Sequence, residues 1–199
     1  MSTLWISAST TAPGALRVIA GLFRYPTDHD FRSYGQALGR VQGVGYVNEL
    51  LARLTGQPVK DHTQTNSTLD SSPATFPLDR TLYADFSHDN QMIAIYAALG
   101  LFPQPHDLDP SKPDPLRTWV TSELVPFSAR MVTEKLWCVS GSGEDEDEYE
   151  YVRIFVNDAL QPLHFCGANR DGLCRLDKFV NSQNYSRSDG AGDFEKCFS

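Results

Sequence analysis

The sequence lacks the features that mark membrane-spanning and nucleic-acid-binding proteins. Its longest apolar stretches, near residues 15–23 and 92–102, are too short to cross a bilayer, and the first is interrupted by Arg17. No cluster of Lys and Arg stands out against a formal net charge of −8, so we expect neither a nucleic-acid nor a membrane partner. A negatively charged small molecule is compatible with this charge, because the local potential of a pocket decides binding there.

A secretion signal is also missing from the start of the chain. Residues 1–23 have no basic start and no clean apolar run ahead of a small-residue cleavage site. Yet the chain has four cysteines, and sequons for N-glycosylation begin at Asn66 and Asn184, which favours an oxidising, secreted context. The sequence therefore predicts an extracellular glycoprotein whose natural N-terminus is missing or replaced.

Metal-binding patterns are absent too. The acidic run Glu144–Glu148 lacks the alternating ligands and the central glycine of a calcium-binding EF-hand loop, and it predicts a solvated hairpin tip. His164, together with Cys166 and Cys174, lacks the paired ligand spacing of known zinc sites. We therefore expect neither a metal ion nor another cofactor.

What is present is the pattern of a single domain with alternating helices and strands. A chain of 199 residues with 41% hydrophobic residues is long enough to bury one core. Apolar periodicity and turn residues predict the element types. The predicted elements are two helical pieces within 30–55 ending at Gly56, a surface loop over 58–77, a buried strand at Thr81–Phe86, a helix at Gln91–Leu99 ending at Gly100, strands at Ala129–Val139 and Tyr151–Val156, a short strand at 160–164, a helix at Arg175–Asn181 and a loop at 186–192.

The strand–turn–helix over residues 81–99 is the unit most suited to chemistry. Ligands of α/β sheets bind at the carboxyl ends of strands, where helix N-termini attract anions. His88 lies in that turn, and a histidine that is cationic at mildly acid pH can donate hydrogen bonds to a phosphate oxygen. Asp89 follows it, and a carboxyl group held protonated can act as a general acid. Taken alone, these residues are more typical of an Asx helix cap beside a solvent-facing histidine.

Sequence strings around this unit carry a family resemblance. Residues 82–90 read Leu-Tyr-Ala-Asp-Phe-Ser-His-Asp-Asn, and here the chain resembles the histidine acid phosphatases of the fungal phytase type. The other strings that resemble this family are Gln42–Thr55, Asp61–Leu69, Ser72–Leu78, Val125–Arg130, Pro162–Cys166, Gly172–Cys174 and Cys197–Ser199. The resemblance implies that residues 30–199 are the C-terminal part of such a domain, and it leaves residues 1–29 unassigned.

The resemblance implies an α/β fold, namely a partial histidine phosphatase (phosphoglycerate mutase-like) fold with an incomplete sheet and flanking helices. It also implies a phosphomonoester hydrolase that acts on phytate or other phosphate monoesters through a phosphohistidine intermediate. In that mechanism His88 binds the phosphate group and Asp89 is the proton donor to the leaving alcohol. The family pairs the cysteines at the positions of Cys166 and Cys174 in a disulfide bond.

The chain departs from the family in its nucleophile. The family carries the reactive histidine in an Arg-His-Gly-x-Arg-x-Pro motif, and this sequence contains no Arg-His-Gly; Arg24-Tyr25-Pro26 matches only the motif's tail. We therefore expect the chain as written to be truncated and catalytically inactive. The alternative is a non-catalytic remnant that acts as a phosphate-binding or interaction protein. Cys138 and Cys197 resemble family cysteines whose partners lie in the missing N-terminal part, so we expect them to be free thiols or a non-native pair. Incomplete sheet edges would favour association.

Overall fold

The computed structural model describes residues 3–9, 37–106, 108–109, 112, 114–140 and 147–198. These residues form helices and strands, with short 3-10 turns at His164–Cys166 and Glu195–Cys197. The helices and strands are β1 (Thr3–Ser9), α1 (Ala37–Val41), α2 (Val44–Thr55), α3 (Ser67–Asp70), β2 (Leu82–Ser87), α4 (Asp89–Leu99), α5 (Thr121–Leu124), β3 (Arg130–Ser140), β4 (Asp147–Val156), β5 (Ala159–Leu160), β6 (Cys174–Arg175), α6 (Leu176–Ser182) and α7 (Asn184–Arg187).

One mixed sheet organises the described residues. Its strand order is β2-β1-β3-β4-β5, and β6 also pairs with β4. β1 and β2 are parallel, with Leu4 opposite Leu82 and Ser9 opposite Ser87, so their carboxyl ends meet at one edge. The pairs β1–β3, β3–β4, β4–β5 and β4–β6 are antiparallel. The parallel pair and the flanking helices match the predicted incomplete α/β sheet.

Helix α4 is the centre of the core. Its residues from Met92 to Leu99 are all buried, because neighbouring elements cover it on every side and its sequence is accordingly apolar all round. Gly43, between α1 and α2, packs directly against the backbone of this helix. A Cβ atom built at Gly43 would lie 2.3 Å from the carbonyl oxygen of Ala94. The missing side chain therefore lets α2 approach α4 closely.

Most of the predicted elements have their expected type. The helical region within 30–55 is present as two pieces, α1 and α2, and residues 30–36 lie outside the described residues. Gly56 and Gly100 end their helices in the left-handed conformation, at φ 67° and 82°. The hairpin β3–β4 is confirmed by its register. Of the acidic run Glu144–Glu148 predicted as its tip, Asp147 and Glu148 lie in strand β4, and residues 144–146 lie outside the described residues.

Four local predictions are wrong. The surface loop predicted over 58–77 contains the short helix α3. The strand at residues 81–86 is not buried: within the described sheet β2 is an edge strand, and Leu82 and Phe86 are 55% and 88% exposed. The short strand predicted at 160–164 stops at Leu160, because the chain turns into the 3-10 helix His164–Cys166 soon after. The loop predicted at 186–192 begins inside the short helix α7.

The structure contains the disulfide bond between Cys166 and Cys174 that the resemblance implied. It joins the 3-10 turn to strand β6, and both cysteines are buried. Cys138 is half-buried and Cys197 is exposed, and both are free thiols. The free-thiol alternative is therefore the one that the structure shows for these two residues.

Candidate functional site

The candidate site lies where β2 passes into α4. His88 is the N-cap residue of α4, with extended backbone angles (φ −116°, ψ 159°), and its carbonyl oxygen accepts the first helical hydrogen bond from the Met92 amide at 3.0 Å. The His88 side chain is exposed and makes no capping hydrogen bond. His88 therefore lies at the carboxyl end of a parallel strand and at the N-terminus of a helix, the two features at which anions bind in α/β sheets.

Asp89 is the first helical residue and, unlike His88, it is buried, with 8% exposed. Its Oδ1 atom accepts a hydrogen bond from the Asn90 amide at 2.8 Å. A carboxyl group in the first turn interacts favourably with the positive end of the helix dipole. The Asx-cap interpretation is wrong in detail, since a histidine occupies the cap position, although that histidine does face solvent.

The first turn of α4 is tied to the connection between α1 and α2. The Gln91 side-chain amide donates to the carbonyl oxygen of Gln42 at 3.1 Å, one residue before the close packing at Gly43. These contacts hold the start of α4 against the helical layer. They fix the direction in which its first-turn amides point, which matters for binding an anion there.

The inner side of β2 is anchored by an ion pair that the sequence did not reveal. Arg53 on α2 donates from Nη1 to Asp85 Oδ2 at 2.7 Å and from Nη2 to Asp85 Oδ1 at 3.5 Å. The Arg53 guanidinium also lies 4.6 Å from the ring centroid of Phe76 and 5.1 Å from that of Tyr83. No local sequence pattern linked Arg53 to Asp85. The pair positions the strand that carries His88.

Glu49, one turn before Arg53 on α2, is in an unfavourable environment for a carboxylate. Burial, together with the nearby carboxylates Asp70, Asp85 and Asp61, raises the pKa of Glu49 to about 7, while Arg53 opposes the shift. Burial also acts to raise the pKa of Asp61, but hydrogen bonds from Asn48 and the Thr63 side chain outweigh it and leave that pKa lowered. Glu49 therefore takes up a proton near neutral pH, whereas Asp61 stays ionised.

Glu49→Gln is expected to stabilise the protein at about pH 8 and to change its stability little at about pH 4. Between the ordinary pKa of 4.5 and the folded value of about 7, the folded state keeps the proton that the unfolded state has lost, so stability falls as pH rises through this window. Glutamine removes that loss. Because Glu49 is partly exposed, we expect the free energy of unfolding to rise by about 1–2 kcal/mol at pH 8, which is less than the energy equivalent of the full pKa shift.

Urea denaturation at both pH values measures this difference. The exposed residue Glu123 provides the control variant Glu123→Gln, which removes a carboxylate of the same kind outside this environment. A change in stability that is equal at both pH values for Glu49→Gln would contradict the explanation.

The two predicted glycosylation sites are both on the surface. Asn66 is exposed and caps α3, its Oδ1 accepting from the amides of Thr68 and Leu69 at 3.1 and 3.3 Å. Asn184 is exposed at the start of α7. Exposure is what modification requires, and glycosylation at both asparagines stays a prediction.

No three His, Cys, Asp or Glu side chains in the described ranges come together in a way that could hold a metal ion. Within the same part of the chain, no helix has the length and apolar character needed to cross a bilayer.

Comparison with known proteins gives consistent matches. The family model of the histidine phosphatase superfamily (branch 2) matches residues 18–157. Phytase A of Emericella nidulans is 47% identical over 167 residues, which are 82% of this chain and 34% of that protein. Phytase A of Neurospora crassa is 40% identical over 237 residues, covering 99% of this chain and 46% of that protein. The chain thus spans between a third and a half of the length of these curated relatives.

A solved structure supports the fold. The crystal structure of the phytase from D. castellii aligns with 84% of this chain and 30% of its own, with a TM-score of 0.57 and 20% sequence identity. The resemblance that residues 42–55 and 82–90 carried is confirmed by the family match and by the relatives. The partial histidine phosphatase fold is confirmed by this structural match.

Proposed function

Because the chain belongs to the histidine phosphatase superfamily, branch 2, we propose that His88 and Asp89 are the phosphate-binding and proton-donating residues of a phosphomonoesterase site. The observation that carries the proposal is their arrangement at the junction of β2 and α4. An exposed imidazole lies at the helix N-terminus, and a buried carboxyl group follows it in the first turn. The same two residues fall in the sequence string that resembles the family's His-Asp motif.

His88 contributes to binding in this proposal. A protonated imidazole donates a hydrogen bond to a phosphate oxygen, and the amides of the first turn of α4 and its dipole add attraction for the same anion. Because the backbone at His88 is extended and leads directly from β2 into α4, the histidine and the first-turn amides of α4 lie at the same edge of the sheet. A phosphate monoester is therefore the substrate class, and phytate is the candidate that the names of the relatives supply.

Asp89 contributes to the chemical step. In the family's reaction the nucleophilic histidine bonds to phosphorus as the P–O bond to the alcohol breaks, and a protonated Asp89 would give its proton to the leaving oxygen, which departs as the alcohol. The side chain is buried in the first turn of α4, next in sequence to His88, and the proposal places its carboxyl group beside the phosphate that His88 binds. The nucleophile that attacks phosphorus in this family is the histidine of Arg-His-Gly, a tripeptide that does not occur in this sequence.

We therefore propose that the 199-residue chain binds phosphate monoesters without turning them over. Removal of a covalent nucleophile costs about 10⁶-fold in rate in other enzymes. The second candidate function, a non-catalytic phosphate-binding or interaction protein, is favoured by the same missing tripeptide. The disulfide bond and the exposed asparagines of the two sequons support an extracellular location for either function.

His88→Ala is expected to weaken binding of phytate about tenfold at mildly acid pH, because one hydrogen bond to an anion is lost. Asp89→Asn should bind nearly as well as the unchanged chain, since this residue acts on the leaving group. Isothermal titration calorimetry measures both. The exposed His164 gives a matched control, and His164→Ala should leave the affinity unchanged. Equal affinity for the His88→Ala and His164→Ala variants would contradict the role of His88.

Hydrolysis tests the second half of the proposal. We expect the purified chain to hydrolyse phytate and p-nitrophenyl phosphate no faster than the Asp89→Asn variant does. Turnover that disappears in Asp89→Asn would show that another residue of the chain replaces the missing nucleophile, and it would overturn the binding-only function.

A further inference from the structure

The two sequons differ in the surroundings of their third residue. Asn66 and Thr68 are both exposed, whereas Asn184 is exposed and Ser186 is completely buried, with 0% exposed. The hydroxyl oxygen of Ser186 is itself buried. The serine or threonine is part of what defines the acceptor, so an enzyme that modifies the asparagine must also reach this hydroxyl group. The folded chain therefore presents one complete sequon and one incomplete sequon.

The geometry of helix α7 explains why Asn184 and Ser186 point in different directions. Both residues lie in this helix, and side chains two positions apart on an α-helix are separated by about 200° around its axis. The inner side of α7 faces α2, where the side-chain amide of Asn48 donates to the carbonyl oxygen of Ser186 at 3.0 Å. An enzyme that approaches from solvent can therefore contact the asparagine but not the serine while α7 is formed.

Three side-chain contacts hold α7 in this position. The Gln183 amide donates to the carbonyl oxygen of Leu99, at the end of α4, at 3.3 Å. The Tyr185 hydroxyl donates to Asp193 Oδ2 at 2.9 Å, and the Arg40 guanidinium lies 3.9 Å from the centroid of the tyrosine ring. Presenting the sequon to an enzyme breaks these contacts, so access requires local unfolding of α7.

The sequon at Asn66 has the opposite arrangement. The backbone of Asn66 is extended (φ −94°, ψ 95°), and its Oδ1 atom accepts from the Thr68 amide at 3.1 Å. This hydrogen bond brings the asparagine side chain beside the third residue of its own sequon. The cap of α3 uses the oxygen of the side chain, whereas glycosylation occurs on the nitrogen Nδ2. A glycosylated Asn66 therefore keeps the acceptor that caps α3.

We propose that folding closes the sequon at Asn184 to glycosylation and leaves the sequon at Asn66 accessible. The reaction bonds Nδ2 to the anomeric carbon of an oligosaccharide carried on a lipid diphosphate. The lipid diphosphate leaves and takes up the proton that the amide loses. Asn184 is then modified before α7 forms or while α7 is locally unfolded. This inference is independent of the proposed function of His88.

The comparison of the two sites within one molecule tests the inference. The folded, unmodified chain is incubated with a purified oligosaccharyltransferase and a lipid-linked oligosaccharide, and mass spectrometry follows both sites. Synthetic peptides of residues 63–71 and 181–189 give the rate of each sequon without the fold. Relative to its peptide, Asn184 should react about tenfold more slowly or less, because only the locally unfolded fraction is accessible. Asn66 should keep most of the rate of its peptide.

Two results of this experiment would overturn the inference. One is an equal ratio of chain to peptide rates at Asn66 and Asn184, because the fold would then make no difference between them. The other is a peptide of residues 181–189 that is not modified at all, since the sequon at Asn184 would then fail on its own sequence rather than through folding.

Asp193→Ala should raise the rate at Asn184 several-fold and leave the rate at Asn66 unchanged. It removes the acceptor of the Tyr185 hydroxyl and so favours the opening of α7. Asp171→Ala is the control, because it removes an exposed carboxylate from another loop. Thermal melting checks that both variants fold. A rate at Asn184 that is no higher in Asp193→Ala than in Asp171→Ala would contradict the opening of α7 as the step that gives access.

Discussion

Gly43→Ala is expected to cost more than about 3 kcal/mol of the free energy of unfolding, or to prevent folding. A Cβ atom at this position would lie 2.3 Å from the Ala94 carbonyl oxygen, 2.6 Å from its carbon and 2.8 Å from the Ile95 Cα. All three are backbone atoms of the buried helix α4 and cannot turn aside as a flexible side chain would. Overpacking of a core typically costs about 1–3 kcal/mol and sometimes more, and total stability is often about 5–15 kcal/mol.

The neighbouring glycine provides a matched control for this prediction. A Cβ atom at Gly45 would meet the Thr65 Cγ2 atom at 3.2 Å, a contact that a small side-chain movement relieves. Gly45 also lies inside α2, where alanine favours the helix. Urea denaturation should place Gly45→Ala close to the unchanged protein and Gly43→Ala far below it. Similar midpoints for the two variants would show that α2 and α4 do not pack as closely as described.

Arg53→Met is expected to cost about 2–3 kcal/mol. It leaves Asp85 without its charge partner and removes the guanidinium from the rings of Phe76 and Tyr83. Loss of one partner of a buried ion pair costs about 3–5 kcal/mol, and we expect less here because the Asp85 side chain is 34% exposed. Arg53→Lys should also destabilise, since an ammonium group cannot make two hydrogen bonds to Asp85 in the same plane.

A double-mutant cycle with Asp85→Asn separates the ion pair from the ring contacts. Arg53→Met should cost less in the Asp85→Asn background, by the energy of the ion pair. The pKa of Glu49 gives an independent readout, because Arg53 acts to lower it and its removal should raise it. Additive effects of the two substitutions, with an unchanged pKa of Glu49, would contradict the coupling of Arg53 to both carboxyl groups.

Much of the fold was predictable because local chemistry determined it. Gly56 and Gly100 ended helices where the pattern of apolar residues stopped, and the alternating residues of β3 and β4 predicted a hairpin. The pairing of Cys166 with Cys174 followed from the resemblance and is present in the structure. His88 and Asp89 were identified by the same resemblance, and the structure places them at a strand end and a helix start.

The wrong and missed predictions share a cause, which is that they depend on tertiary neighbours. The apolar residues of β2 predicted burial, yet the strand order leaves Leu82 and Phe86 facing solvent. No local signal linked Arg53 to Asp85, because they are far apart in sequence and meet only when α2 packs on β2. The requirement for glycine at Gly43 was likewise invisible, since its backbone angles are ordinary and only the approach of α4 excludes a side chain.

The most direct test of the central claim is a titration of the isotopically labelled chain with inorganic phosphate at mildly acid pH, followed by NMR of its backbone amides and histidine rings. The proposed site predicts shifts confined to the His88 ring and to the first-turn amides of α4, from Asp89 to Gln91, and their loss in His88→Ala. Shifts that are absent there, or that persist unchanged in His88→Ala, would contradict a phosphate site at the junction of β2 and α4.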